Sequence, residues 1–213
     1  MDSLATLLKG ANLYLVGLMG SGKSTIGQHL AEALAYRWLD TDALVEQVAH
    51  RSIAEIFAEA GEPGFRELET QVLGGVAAYR SLVVSTGGGI VLARENWGLL
   101  RHGIVIWLDV APALIVDRLR AKPEELASRP LLQGNDPLAT LERLREERSP
   151  LYRQADVHLS IAGPETPEEI ATRTLAAVRS SLRPEILNPA LNPALNPVLN
   201  RPESQNGQQA TTP

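Results

Sequence analysis

The chain has 213 residues, no cysteine and a formal net charge of -5. This length suits one domain with a sizeable core and an appendage, and the lack of cysteine excludes disulfides, thiolate zinc sites and cysteine nucleophiles. The acidic balance disfavours a nucleic-acid binder that relies on a basic field. No run of about 18 apolar residues could span a membrane and the N-terminus lacks a secretory pattern, so we expect a soluble cytoplasmic protein.

Short apolar runs alternate with amphipathic stretches along residues 1–183. Strands are predicted at Asn12–Gly17, Trp38–Leu39, Leu82–Ser85, Ile104–Asp109 and Val157–Ser160. Helices are predicted at Thr25–Leu34, from the capping box Ser52–Glu55 onward, at Glu142–Arg148 and at Thr166–Leu182. Strands that alternate with helices predict an α/β fold with a parallel sheet covered on both faces. Ligands of such sheets bind beyond the carboxyl ends of the strands.

The segment Gly17–Ser24 follows the first strand and satisfies the pattern G-x-x-x-x-G-K-[ST]. Its glycines let backbone N–H groups converge on phosphate oxygens, and the following helix N-terminus adds a positive field. Lys23 supplies a charge to the β- and γ-phosphates, and Ser24 offers a hydroxyl ligand to Mg²⁺. A glycine-rich turn that matches by chance is the alternative, but the strand and helix around the motif favour nucleoside triphosphate binding.

Two carboxylates, Asp40 and Asp42, follow the second predicted strand. If that strand lies beside the phosphate loop, one carboxylate could order Mg²⁺ through water and the other could take a proton from an acceptor hydroxyl. The alternative is helix capping, with Asp42 opening the stretch Ala43–Ala49.

Arg66 and Glu69 lie three residues apart in a helical stretch, where they could simply pair on the surface. The glycines Gly87, Gly88 and Gly89 end the third strand. Glycine allows a small polar ligand to approach the backbone closely, but a permissive turn explains the same residues.

The polar stretch at about 122–136 contains Pro123, Pro130 and Gly134 and is typical of a lid between helices. Arg129 within it would reach a transferring phosphate on closure, or would remain a solvated loop charge. The charged helix that follows ends at Arg148. Most of its charge is expected to face solvent, with one or two arginines turned toward an anionic substrate.

Residues 184–213 carry only three charged side chains and no aromatic residue. Proline recurs there at every fourth position, at Pro189, Pro193 and Pro197, which removes backbone donors and disfavours helix. We predict a low-complexity, disordered tail, with a partner-binding peptide as the alternative. The chain is thus predicted to divide into a domain at 1–183 and a tail at 184–213.

These motifs, in this order, resemble the shikimate kinase family. The resemblance runs from about Asn12 to about Leu182 and rests on Gly17–Thr25, Leu39–Asp42, Phe65-Arg66 with Glu69, Gly87–Gly89, Arg129–Leu132 and Arg148–Tyr152. It implies a P-loop kinase fold like that of the nucleoside monophosphate kinases: a three-layer α/β/α sandwich with a five-stranded parallel sheet and a lid.

The resemblance also implies an enzyme that moves the γ-phosphoryl group of ATP to the 3-hydroxyl of shikimate, with Mg²⁺ as cofactor. A monomer that binds neither nucleic acid nor membrane is expected. The implied nucleotide-binding residues are Gly20, Ser21, Gly22, Lys23, Ser24, Thr25 and the lid residue Arg129. Ser24 and Asp40 match the metal site, with Asp40 acting through water.

For the acceptor, the resemblance implies that Asp42 contacts the shikimate hydroxyls and is the candidate base. Lys23 and Arg129 join Asp42 as implied catalytic residues. Arg66 and Arg148 match a pair that clamps the shikimate carboxylate, and Gly88, between Gly87 and Gly89, matches a backbone donor to the substrate.

Two other hypotheses stay open at this point. A different small-molecule kinase, such as a gluconate kinase, would not need Asp42, Arg66 and Arg148 together, because that set builds a site for an anionic, hydroxylated ring. A non-catalytic relative would be free to lose Lys23 and Arg129. One departure from the family pattern is the stretch 161–166, which has no basic residue near the expected adenine site.

Overall fold

A computed structural model of the chain describes residues 3–121, Leu132 and 136–182. It contains one sheet of five parallel strands in the order β2-β3-β1-β4-β5. The strands are β1 (Leu13–Val16), β2 (Arg37–Asp40), β3 (Leu82–Ser85), β4 (Ile104–Val110) and β5 (Val157–Ile161). The five predicted strands are confirmed, with ends that differ by at most one residue.

Eight α-helices lie between and around these strands in the described part of the chain. They are α1 (Leu4–Leu8), α2 (Lys23–Leu34), α3 (Thr41–Ala49), α4 (Ile53–Ala77), α5 (Arg94–Leu100), α6 (Pro112–Arg120), α7 (Pro137–Tyr152) and α8 (Pro167–Ser181). A short 3-10 turn, Ile90–Leu92, follows the triple glycine. Helices pack on both faces of the sheet, so the expected three-layer P-loop kinase fold is confirmed.

Burial along the strands follows their position in the sheet. Every residue of the central strand β1 and of its neighbour β3 is buried, as expected for strands covered on both faces. The edge strand β5 instead alternates buried and exposed residues. The core therefore lies around β1, and the loops after β1 and β3 leave the most deeply buried part of the sheet.

Local sequence signals determine where the helices of the site begin. Ser52 and Glu55 form the predicted capping box at the start of α4. Asp40 is the N-cap of α3, and its Oδ1 accepts a hydrogen bond from the Asp42 backbone N at 3.0 Å. The capping alternative assigned to Asp42 is therefore wrong, because the helix begins two residues earlier and Asp42 lies in its first turn.

The long helix α4 contains a kink before the residues that matter for the site. Gly61 has φ 66° and ψ -173°, outside the helical region, and Pro63 begins the second part of the helix. The kink changes the direction of the helix axis after Gly61, and in this second part of α4 Phe65 and Glu69 are buried.

Residues Met1–Ser181 form one compact unit. The predicted lid at about 122–136 lies almost entirely outside the described residues, as does the predicted tail at 184–213. Within the part of the chain that the structure describes, no helix has the length and apolar character needed to cross a membrane.

Candidate active site

The phosphate loop wraps around the side chain of Lys23, which is only 8% exposed. Its Nζ donates to the carbonyl oxygens of Gly17 at 3.0 Å and Leu18 at 2.8 Å. Gly22 is the N-cap of α2 with φ 90°, a left-handed conformation that favours glycine. The loop thus holds a buried ammonium group at the N-terminus of a 12-residue helix, an arrangement suited to phosphate.

Ser24 and Asp40 meet at the open side of this loop. The Ser24 Oγ donates to Asp40 Oδ2 at 2.6 Å, although the two residues are 16 positions apart. A hydroxyl and a carboxylate are hard oxygen donors of the kind that Mg²⁺ prefers, and this ion keeps several waters instead of requiring a full protein cage. The donor set therefore fits a magnesium ion shared with a phosphate.

The triple glycine brings four charged side chains to the end of β3. A Cβ added at Gly87 would lie 2.5 Å from Glu69 Oε1 and 2.6 Å from Asp42 Oδ1. At Gly88 it would lie 3.7 Å from Arg148 Nη1, and at Gly89 it would overlap the Arg66 guanidinium. Any side chain at Gly87 would displace the carboxylates, so the close approach explains this glycine. The predicted acceptor residues are therefore brought together.

Arg66 and Glu69 do pair, but not as exposed residues on a helix surface. Arg66 Nη1 donates to Glu69 Oε2 at 2.7 Å, and the Glu69 side chain is 1% exposed. Burial raises the pKa of the Glu69 carboxyl and the charge of Asp42 adds to this, whereas Arg66 and Arg148 oppose it. The surface-pair alternative is therefore wrong: Glu69 is a buried anchor for the guanidinium.

Arg148 and Tyr152 reach the same loop from α7. Arg148 Nη1 donates to the Gly88 carbonyl oxygen at 3.0 Å, and the Tyr152 hydroxyl donates to it at 2.7 Å. Arg148 is 6% exposed, which confirms that one arginine of the charged helix turns inward. Burial raises the pKa of Tyr152 to about 12, so this hydroxyl remains a donor at neutral pH.

The two halves of the site share a wall. A Cβ at Gly88 would lie 3.2 Å from the backbone N of Met19 in the phosphate loop. The Ser85 Oγ at the end of β3 donates to the Lys23 carbonyl oxygen at 2.9 Å. A ligand held by the triple glycine therefore lies next to a ligand held by the phosphate loop.

Sequence reasoning listed most of this cluster but gave no role to three of its members, Thr41, Glu69 and Tyr152, although the last two lie in the matched motifs. The Thr41 Oγ1 accepts a hydrogen bond from the Gly87 backbone N at 3.0 Å. Glu69 accepts a hydrogen bond from Arg66, and Tyr152 donates to the same Gly88 carbonyl oxygen as Arg148. The spacing of Arg66 and Glu69 predicts that they pair but not that Glu69 is buried, and the spacing of Arg148 and Tyr152 likewise places both on one helix face. Arg129 lies outside the described residues.

Comparison with known proteins agrees with this geometry. The family model described as shikimate kinase matches residues 19–179. The shikimate kinase of Trichormus variabilis is 49% identical over 185 residues, which cover 87% of this chain and 100% of the relative. That of Synechococcus sp. strain JA-3-3Ab is 53% identical over 179 residues, 84% of this chain and 93% of the relative.

Solved structures give the same result. The structure of shikimate kinase from Acinetobacter baumannii in complex with shikimate superposes with a TM-score of 0.74 at 36% identity, over 84% of this chain and 98% of that one. The structure of shikimate kinase from Bacteroides thetaiotaomicron gives a TM-score of 0.72 at 32% identity, over 81% and 98%. The phosphate loop, the acceptor cluster, the family match and these relatives agree, and the chain belongs to the shikimate kinase family.

Proposed function

We propose that this site transfers the γ-phosphoryl group of ATP to the 3-hydroxyl of shikimate, a step toward chorismate and the aromatic amino acids. The observation that carries the proposal is the wall shared by Gly88 and Met19. It sets an anionic acceptor, held by arginines and carboxylates, directly beside a triphosphate held by Lys23. Phosphoryl transfer depends mainly on such positioning and on charge neutralisation.

On the donor side, the backbone of Gly20–Thr25 holds the phosphates. The Lys23 ammonium exchanges its contacts with loop carbonyls for β- and γ-phosphate oxygens when ATP binds. Ser24 and Asp40 would hold Mg²⁺, Asp40 through a water molecule. When bound, this ion neutralises charge on the β- and γ-phosphates. Arg129 adds a further charge to the phosphates from the lid.

On the acceptor side, Arg66 and Arg148 bind the shikimate carboxylate, because a planar guanidinium matches a carboxylate in a bidentate manner. The backbone N–H of Gly88, with Gly87 and Gly89 beside it, donates to the substrate. Asp42, close to Gly87, contacts the ring hydroxyls and orients the one that reacts.

Asp42 acts as the base in the transfer step. The acceptor oxygen forms a bond to the γ-phosphorus while the bond from that phosphorus to the β–γ bridging oxygen breaks. ADP leaves with that oxygen and its electron pair, and the hydroxyl proton passes to Asp42.

We also propose that residues 1–183 are the kinase domain, with 184–213 as a tail outside it. The protein is proposed to act as a cytoplasmic monomer on small molecules and not on nucleic acid. The net charge of -5 disfavours binding to nucleic acid, and the absence of cysteine is compatible with a reducing compartment.

A coupled assay of ADP release tests the proposal. The full chain is assayed with ATP and Mg²⁺ plus shikimate, plus gluconate, or without an acceptor. Turnover that depends on shikimate, with only a background rate in the other two reactions, is the expected result. Equal rates with all three, or turnover with gluconate alone, would refute the assignment.

A further inference from the structure

Asp109, at the end of β4, joins that strand to α7 through a forked ion pair. Arg145 Nε and Nη2 donate to Asp109 Oδ1 at 3.1 and 3.0 Å, and Nη2 also donates to Oδ2 at 3.2 Å. His158 Nε2 on β5 lies 3.0 Å from the same Oδ2. The Asp109 side chain is 8% exposed and that of Arg145 is 44% exposed. The carboxylate is thus held from two sides, and a planar guanidinium is fixed in one orientation.

A second contact joins the same strand to the same helix. The Trp107 ring stacks on Tyr152, with centroids 5.6 Å apart and planes inclined by 27°. Trp107 and Asp109 are two residues apart and so lie on one face of β4. Arg145 and Tyr152 are two helical turns apart, on one side of α7. Arg148 lies between them, so the two contacts bracket the arginine that reaches the Gly88 carbonyl oxygen.

The strand that holds α7 also abuts the phosphate loop. A Cβ added at Gly17 would lie 2.6 Å from the carbonyl oxygen of Leu108, the residue before Asp109. In addition, β4 pairs with β1, the strand that leads into this loop. One end of β4 therefore sets both the edge of the phosphate loop and the orientation of α7.

We propose that Asp109 is a positioning residue for the acceptor. Through Arg145 it fixes the rotation of α7, and thereby places the Arg148 guanidinium at a set distance from the phosphate loop. This inference rests on the proposed function, in which Arg148 binds the shikimate carboxylate. Because Arg145 is nearly half exposed, the ion pair itself stabilises the fold little. Its effect is expected in the geometry of the site, where a small displacement of Arg148 weakens the binding of the substrate carboxylate.

The test is the kinetics of Asp109→Asn in the full chain, which keeps the size of the side chain and removes its charge. We expect the KM for shikimate to rise about fivefold, with kcat and the KM for ATP within about twofold. Arg145→Lys keeps the positive charge but loses the two-pronged guanidinium contact with Asp109. It should also raise the KM for shikimate. The double variant should raise the KM no further than the larger single effect, because both changes break one interaction.

The matched control lies on the same helix. Arg143 and Glu147 form an exposed ion pair, with side chains 61% and 51% exposed and an Nη1–Oε1 distance of 2.6 Å. Glu147→Gln should leave both KM values unchanged. If Arg148→Ala raises the KM for shikimate while Asp109→Asn and Arg145→Lys do not, this inference is wrong and the proposed function stands. If Arg148→Ala leaves that KM unchanged, the proposed carboxylate clamp fails and the inference fails with it. A lower melting temperature with unchanged KM values would show a purely structural role and also overturn it.

Discussion

Arg66 and Glu69 form an ion pair in which the carboxylate is the buried partner. Their side chains are 20% and 1% exposed, and Nη1 and Oε2 are 2.7 Å apart. Burial of Glu69, with Asp42 close by, favours its protonated form, and the two guanidinium groups of the site oppose this effect. Because the net result is a raised pKa, ionised Glu69 lowers the stability of the fold while it holds Arg66 in place.

The first prediction concerns this raised pKa and uses Glu69→Gln, a neutral mimic of the protonated side chain. Below the ordinary pKa of 4.5, Glu69 is protonated in both the folded and the unfolded protein. As the pH rises through the raised folded pKa, the stability gained from the protonated form is lost. The free energy of unfolding of the native chain, minus that of Glu69→Gln, should therefore fall from pH 4.5 upward and then level off.

Urea unfolding of both proteins over this pH range measures that difference. Groups distant from Glu69 titrate equally in both proteins, so their contributions cancel. Glu67→Gln on the exposed side of α4 is the control. The difference in the free energy of unfolding between the native chain and this variant should not fall as the pH rises. If the free energy of unfolding of the native chain minus that of Glu69→Gln instead increases with pH, the attraction of Arg66 for the Glu69 carboxylate outweighs the cost of burying that carboxylate.

How far the sequence predicts this site depends on the distance over which each signal acts. The phosphate loop and the capping box Ser52–Glu55 are local patterns, so both are found directly. The spacing of Arg66 and Glu69 is equally compatible with a surface pair, because burial depends on how the kink at Gly61 re-aims α4. The capping alternative at Asp42 fails for a similar reason, since Asp40 and Asp42 have the same local preference and Asp40 is the N-cap of α3.

Contacts between distant segments leave no local pattern at all. Asp109 and Arg145 are 36 positions apart, and Tyr152 and Gly88 are 64 apart. Their encounter follows from the order of the strands and the packing of α7, which a single sequence does not encode in any short window. The family resemblance supplied Arg148, but not the residues that orient it.

The second prediction concerns Asp42, which is proposed to take the acceptor proton. Asp42→Asn keeps the shape of the side chain but cannot accept that proton, so turnover should fall by about 10²-fold or more. ATP binding and the melting temperature should persist, because α3 is capped by Asp40. Steady-state kinetics with shikimate and calorimetric ATP binding measure the two effects.

Asp117→Asn is the matched control for that change, since its side chain on α6 is 72% exposed. It should leave kcat within about twofold, as expected for a surface position. Near-normal turnover of Asp42→Asn would remove this residue from the proton transfer.

The third prediction concerns Arg148, the inward-facing arginine of α7. Arg148→Ala should raise the KM for shikimate about tenfold or more, because a buried charge pair with the substrate carboxylate is lost. The KM for ATP should change by less than about twofold, since the phosphates are held elsewhere. Arg148→Lys should restore binding only in part, because an ammonium group lacks the bidentate geometry.

Arg143→Ala, on the exposed side of the same helix, is the control for Arg148. Its kinetic constants should match those of the unchanged chain. An equal rise in both KM values for Arg148→Ala would indicate general damage to the domain and would argue against a carboxylate clamp.

The fourth prediction is that a chain ended after Leu182 keeps its activity. Every site residue named above precedes Leu182, and Met1–Ser181 is a compact unit. The removed segment, residues 183–213, has four charged residues and no aromatic residue, a composition with little capacity to build a core of its own. We expect kcat, both KM values and the midpoint of urea unfolding to match the full chain, with activity ratios within about twofold. A loss of turnover in a shortened chain that still unfolds at the same midpoint would place part of the catalytic function after Leu182. A lower midpoint would instead show that these residues stabilise the kinase domain, and the proposed division at residue 183 would then be wrong.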